Sequence, residues 1–344
     1  MDNIDCMKRQ MNLIFLLLLF MLTGCMPMIH PYGSKISTAQ LDDNFFLSED
    51  GVQLPLRHWL PTTPPKAIII ALHGFNDYSH FFEMPGEYFS QRGIACFAYD
   101  QRGFGAAPLR GLWAGSETYA KDLQVLVNLI QQHYPSLPIY LLGESMGGAI
   151  VITAMGQADM PNVAGIILAA PALWARETMP WYQTSLLWTL AHSLPWLTLT
   201  GQGLHVMASD NIDMLRALGR DPLIIKATRV EAIYGLADLM DDAYNSASNL
   251  HVNTLLLYGE NDQIIPKEPT FTFLQQLLQS ETTEKAEKTV AIYQQGYHML
   301  LRDLQAKTAW QDILAWIQDS PDKLPSGADQ RARQLLSSQL ETSE

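Results

Sequence analysis

Pro138-Ile139-Tyr140-Leu141-Leu142-Gly143-Glu144-Ser145-Met146-Gly147-Gly148 decides how this chain folds. An apolar, strand-like run, Pro138–Leu142, leads directly into Gly-Glu-Ser-Met-Gly, and an apolar helical run, Met146–Gln157, follows at once. At about 7% usage of each residue, a chance Gly-x-Ser-x-Gly turns up in roughly one chain in ten of this length. The five letters are therefore weak alone, and their strand–turn–helix setting is the stronger sign. Such a sharp turn leaves no room for side chains at 143 and 147, so glycine is needed there. It would present Ser145 at the end of a strand.

Outward from this turn, strands and helices alternate. Strands are expected at Ala67–Leu72, Ile94–Tyr99, Pro138–Leu142, Val163–Ala170, Thr254–Tyr258 and Thr289–Tyr293. Helices are expected at Ser79–Arg92, Glu117–His133, Met146–Gln157, Thr270–Leu278 and Leu304–Ile317. Phe45–Leu47 and Val52–Trp59 flank Glu49-Asp50-Gly51, a hairpin signal. The alternation implies an α/β fold, a mostly parallel, doubly wound sheet covered on both faces. It breaks between Pro171 and Leu250, where a helical, tryptophan-rich insertion would cap the carboxyl edge of the sheet. Residues 42–170 and 251–319 would be the core and 171–250 the cap. Residues 25–41, with Pro27, Pro31, Gly33 and Ser34, read as a tether. Residues 320–344 read as a loose polar tail with room for one frayed helix.

A serine hydroxyl is a poor nucleophile without a base. Of nine histidines, His298 lies in Gly296-Tyr297-His298, between the last strand and the last long helix of the core. Loops at strand carboxyl ends are where doubly wound sheets gather reactive groups. His73, in His73-Gly74-Phe75-Asn76-Asp77, is expected to be a structural hydrogen-bonder. The base needs a carboxylate to orient it. Asp262 follows strand Thr254–Tyr258 through Gly259-Glu260-Asn261 and is favoured, with Glu260 as its rival. The order Ser145, Asp262, His298 differs from the chymotrypsin and subtilisin orders. Two backbone N–H donors, on Met146 and Phe75, are candidates for an oxyanion hole, where each such donor is worth about 10²–10³ in rate.

With these residues in place, a resemblance is specific. HGFND (His73–Asp77), YDQRGFG (Tyr99–Gly105), GESMGG (Gly143–Gly148), YGENDQIIP (Tyr258–Pro266) and GYH (Gly296–His298) look like the monoacylglycerol lipase and lysophospholipase family of α/β-hydrolases, which is also grouped with serine aminopeptidase-like hydrolases. The similarity spans roughly Phe45 to Ile317 and takes in Asp221-Pro222-Leu223 of the cap. It implies Ser145, Asp262 and His298 as a triad, Phe75 and Met146 as oxyanion donors, and a lipid ester as substrate. HGFND departs from the acidic or glycine residues that many members carry after His-Gly.

The chain of 344 residues carries a net charge of -13, which argues against nucleic acid as a partner. No His-Glu-x-x-His pattern or cysteine cluster suggests a metal, and no cofactor is expected. Lys8 and Arg9 precede an apolar run, Leu13–Leu22, too short to span a bilayer comfortably. The run ends in Leu22-Thr23-Gly24-Cys25, which resembles a bacterial lipobox. Residues 1–24 would then be a signal peptide and Cys25 the lipidation site, an acyl anchor to a membrane of the cell envelope. Met26, rather than aspartate, after Cys25 favours the outer membrane, facing the periplasm. Cys96, in an apolar strand, reads as a core residue. Two rival readings stand: a hydrolase of small esters or peptides, and an idle envelope lipoprotein that binds lipid or a partner. The cap's leucines and tryptophans suit plain packing and a lipid-touching lid equally.

Overall fold

The structure, a computed structural model, describes residues 26–201, 203, 206–246, 250–279, 286–319 and 323–342. Residues 1–24 and the candidate lipidation site Cys25 lie outside the described residues. Among the described residues, nine strands form the central sheet. They are β1 (Gln40–Leu41), β2 (Phe45–Leu47), β3 (Gln53–Trp59), β4 (Ala67–Leu72), β5 (Ile94–Tyr99), β6 (Ile139–Glu144), β7 (Gly165–Ala169), β10 (Thr254–Gly259) and β11 (Lys288–Tyr293). Their spatial order is β1-β2-β3-β5-β4-β6-β7-β10-β11. The six strands from β5 to β11 in that order pair in parallel, and β1, β2 and β3 add an antiparallel edge. The hairpin read at Glu49-Asp50-Gly51 is β2–β3, with Phe46 opposite Leu54.

The parallel strands are apolar without interruption because both faces are covered. Along β4, Ile68, Ile70 and Leu72 enter one core, and Ile69 and Ala71 enter the other. Burying each such side chain is worth about 1.5–3 kcal/mol. The first core is closed by α2 (Ser116–His133) and α3 (Met146–Met155). The second is closed by α1 (Glu83–Ser90) and α8 (Ala306–Asp319), with Phe89, Trp310 and Trp316. Cys96 is buried in that second core, as expected.

The insertion holds α4 (Trp181–Ser193), β8 (Thr198–Thr200), α5 (Ile212–Arg220), β9 (Ala227–Arg229) and α6 (Val230–Asn245). Its small antiparallel ribbon β8–β9 was not expected from the helical pattern. Its last helix, α6, also meets the core. It packs on α3, and a Cβ at its Gly235 would lie 2.3 Å from the Trp113 ring.

Two segments differ from the sequence expectation. Residues 26–41 are no loose tether: Tyr32 is bonded to Ser48 and Thr118, and Gln40–Leu41 is a strand. The region read as a loose tail contains α9 (Ala328–Thr342), which lies along β11 with Ala328, Ala332 and Leu336 buried. Before it in the chain, α7 (Lys267–Gln279) packs beside β11 and sends Phe271, Phe273 and Leu274 into the first core. Both corrections share a cause. A few apolar and hydrogen-bonding residues suffice to dock a short polar segment, and sequence alone does not show the surface they meet.

Candidate active site

Ser145 sits between β6 and α3 with φ 54° and ψ −115°, a backbone conformation that costs a non-glycine residue about 1–3 kcal/mol. Its N–H is held by Ala169 O at 3.0 Å, and its carbonyl accepts from Ala172 N. The glycines on either side explain the motif. A Cβ at Gly143 would lie 2.4 Å from the Gly147 carbonyl, and one at Gly147 would lie 2.2 Å from Leu72 O. The turn therefore closes only with glycine at both places.

Asp262 and His298 meet at the carboxyl ends of the neighbouring strands β10 and β11. His298 Nδ1 is 2.8 Å from Asp262 Oδ2. Asp262 Oδ1 accepts from the N–H groups of Ile264 and Ile265 at 2.8 and 3.0 Å, so both carboxylate oxygens are occupied. The loops that carry the pair touch backbone to backbone: Asn261 N–H donates to Gly296 O at 2.9 Å. Glu260 turns away and pairs with Arg331 of α9. The choice that the sequence left open thus falls to Asp262 as the partner of His298.

Burial alone would lower the pKa of His298. The charge and hydrogen bond of Asp262, with help from Glu144, outweigh it and raise the pKa above the ordinary histidine value. Arg302 acts in the opposite sense. The Ser145 hydroxyl makes no hydrogen bond to the imidazole among the described residues.

The loop after β4 lies directly against the serine. A Cβ at Gly74 would be 3.3 Å from Ser145 Cβ. The backbone N–H groups of Phe75 and Met146 donate to no described residue, and that of Met146 belongs to the first turn of α3, where helix N–H groups lack partners. His73 is fully buried. Its Nε2 accepts from Gln101 N–H, which leaves Nδ1 to donate to Gly74 O. It is the structural residue expected of it, and burial lowers its pKa.

Sequence reasoning missed a buried ion cluster behind this wall. Arg302, four residues after His298, places Nη2 at 2.6 Å from Glu144 Oε1 and 2.7 Å from Asp77 Oδ2. It joins the serine turn, the loop after β4 and the His298 loop. The only sequence signal was Glu144 itself, a charged residue in an otherwise apolar strand end. The cap is stitched to the same loops. Asn76 bonds Thr228, Tyr78 bonds Asp221, Ser209 bonds Asp303, and Ala208 O accepts from Met299 N.

A family profile described as "Serine aminopeptidase, S33" matches residues 63–305. The chain belongs to this family of α/β-hydrolases. The fold resemblance read from the motifs is thereby borne out. Human monoglyceride lipase is 29% identical over 278 residues, covering 79% of this chain and 88% of that protein. Monoacylglycerol lipase of Mycolicibacterium smegmatis is 23% identical over 284 residues, covering 80% and 96%. The crystal structure of Paleococcus ferrophilus monoacylglycerol lipase superimposes with a TM-score of 0.62 at 22% identity, over 77% of this chain and 98% of that one, which speaks for the fold.

Proposed function

We propose that this S33-family chain is a serine hydrolase of lipid carboxylic esters, with monoacylglycerol or lysophospholipid as substrate class, acting through an acyl-enzyme on Ser145. The observation that carries the reading is the 2.8 Å contact between His298 Nδ1 and Asp262 Oδ2. It holds the proton on Nδ1 and leaves Nε2 as the free base. In the first step Nε2 takes the Ser145 proton as Oγ adds to the ester carbonyl. The oxyanion that forms is received by the Phe75 and Met146 N–H groups, and the imidazolium is stabilised by Asp262. The imidazolium then protonates the departing alcohol, which is glycerol from a monoacylglycerol or the glycerophosphodiester from a lysophospholipid. Water, deprotonated by His298, releases the fatty acid and restores Ser145. The Ser145–His298 hydrogen bond is one that closes in the substrate complex, as such bonds often do.

The lipid class is supported by two relatives whose names describe lipases of monoacylglycerols. It is also supported by the exposed apolar side chains of the cap, among them Trp181, Leu186 and Trp196. The enzyme would be held by acyl chains on Cys25 at an envelope membrane, at the periplasmic face of the outer membrane by the residue that follows.

Fluorophosphonate labelling of the purified chain tests the chemistry: covalent capture at Ser145 is expected, and Ser145→Ala abolishes it. A panel of monoacylglycerols, lysophospholipids, butyryl esters and aminoacyl amides tests the class. Preference for the amides would move the enzyme to peptide hydrolysis. Rapid turnover of butyryl esters with none of long-chain lipids would make it a small-ester hydrolase. Absence of labelling would leave the idle lipoprotein.

A further inference from the structure

His298 is held from both sides by one residue further along the chain. Asp303 accepts the N–H of Tyr297 on Oδ2 at 2.8 Å, and its own N–H donates to Met299 O at 3.0 Å. The residues just before and just after the base are thus fixed by the same aspartate. Its other oxygen, Oδ1, accepts the hydroxyl of Ser209, in the cap, at 2.6 Å. Ser209 is fully buried, and its Oγ accepts in turn from Asn211 N–H at 3.1 Å, at the start of α5. Asp303 is itself buried, and no cation pairs with it among the described residues.

The cap touches this arm along its length. Ala208 O accepts from Met299 N–H at 2.9 Å, Asn211 Nδ2 donates to Arg302 O at 2.9 Å, and Leu304 N–H donates to Asp210 Oδ1 at 2.9 Å. Met207 N–H reaches the other arm: it donates at 3.0 Å to Oε1 of Gln263, the residue that follows Asp262. A single stretch of cap, Met207–Asn211, therefore grips both the loop of the base and the loop of its acid.

We infer that Asp303 is a positioning residue for His298, and that through Ser209 the cap stretch Met207–Asn211 sets where the imidazole stands. The inference rests on the triad reading above. A buried carboxylate without a cation is costly, and a neutral side chain could tie two loops together. What the charge adds is bond strength, since hydrogen bonds to an ionised acceptor are about twice as strong as neutral ones. Burial raises the Asp303 carboxyl to about 6, with Asp210 and Glu144 pushing the same way and the Ser209 and Tyr297 donors pulling it back. At neutral pH it is therefore ionised. Ser145 and His298 are not bonded to each other in the structure, so a small shift of the His298 loop decides whether Nε2 reaches Oγ. A displacement of about 1 Å can cost about 10² in rate. A cap that shifts takes Ser209 with it, and Tyr297 follows through Asp303. The cap thus acts on the proton transfer itself and not only on access to the site.

The test uses the purified full chain and a water-soluble butyryl ester. Asp303→Asn keeps the size of the side chain but can accept only one of the two donors. Its kcat should fall about 10²-fold with KM within about twofold of the parent. Ser209→Ala should lower kcat about tenfold, and Ser209→Thr, which keeps the hydroxyl, should restore most of the rate. The hydrogen-bonded Nδ1 proton of His298 gives a second readout that needs no turnover: its downfield NMR resonance should shift or broaden in Asp303→Asn and in Ser209→Ala. A lower melting temperature with the resonance and the turnover per folded molecule both unchanged would make Asp303 a structural tie and overturn the inference. If Asp303→Asn does not fold, the Ser209 variants decide: Ser209→Ala with the kcat and resonance of the parent overturns it as well. A parent that takes no fluorophosphonate and cleaves no ester would sink the serine-hydrolase reading separately, and the resonance in the variants would still judge Asp303.

Discussion

Arg302 and Glu144 stand 158 residues apart in the chain and meet at 2.6 Å in the wall behind Ser145. Both side chains are more than nine-tenths buried, and the same guanidinium also holds Asp77. Two carboxylates therefore depend on one cation away from water. Burial pushes the Glu144 carboxyl up, and Arg302 pulls it back. Replacing the cation, as in Arg302→Met, leaves both carboxylates buried without it and should cost about 3–5 kcal/mol in urea unfolding. Adding Glu144→Gln and Asp77→Asn should recover part of this. A loss under about 1 kcal/mol would mean that the cluster does not hold the three loops together.

The pH profile of kcat/KM follows from His298. Only the neutral imidazole can take the Ser145 proton, so activity falls as pH drops through its pKa. That pKa is raised, and the acid limb should lie above the ordinary histidine value of about 6.5. Glu144→Gln removes a charge that favours the imidazolium and should move the limb down. The contribution of the raised His298 pKa to stability runs the opposite way: full below about pH 6.5 and lost as pH rises through the folded value. Rate measurements on a soluble ester in both forms decide it. A limb that Glu144→Gln leaves in place would contradict the coupling.

Asp262 and Glu260 should separate cleanly. Asp262→Asn disturbs the tautomer of His298 and should lower kcat by about 10⁴. Glu260→Gln loses only a partly exposed pair with Arg331, worth about 0–1 kcal/mol, and should leave kcat near the parent value. Steady-state rates and melting temperatures of the two variants distinguish them. Equal losses in kcat would reassign the orienting acid.

Gly147→Ala tests the turn. The added Cβ would fall 2.2 Å from Leu72 O, which belongs to the central strand β4 and cannot move cheaply. A loss of about 1–3 kcal/mol is expected, together with loss of fluorophosphonate labelling as Ser145 is displaced. Full labelling with an unchanged melting temperature would show more slack in the turn than the backbone contacts allow.

What the sequence made legible was local. Gly143-Glu144-Ser145-Met146-Gly147 announces its own turn, because two glycines and a strand–helix junction are read within eleven residues. Asp262 and His298 announce themselves by lying just past strands. The alternation of buried runs gave the parallel sheet for the same reason. Arg302, Asp77 and Glu144 were not legible as a cluster, since each charged residue on its own is read as solvated and only the fold brings them together. Tyr32 and Leu336 were passed over likewise. Their segments are polar and short, and their partners, Arg102 and the strand β11, lie far along the chain. Glu260 and Asp262 were separable only once Arg331 was seen to claim one of them.

The docking of α9 along β11 has a consequence for how the chain behaves in solution. β11 is the outermost strand at its end of the sheet. Bare outer strands offer unpaired N–H and C=O groups to other molecules and template aggregation. With Ala332 and Leu336 packed beside Val290, α9 acts as a shield for that border. A chain trimmed after Pro325 would keep every residue proposed for chemistry, yet it should precipitate or pair strand to strand with its own kind. The C-terminal helix should thus keep molecules apart, and light scattering of the full and trimmed chains checks it.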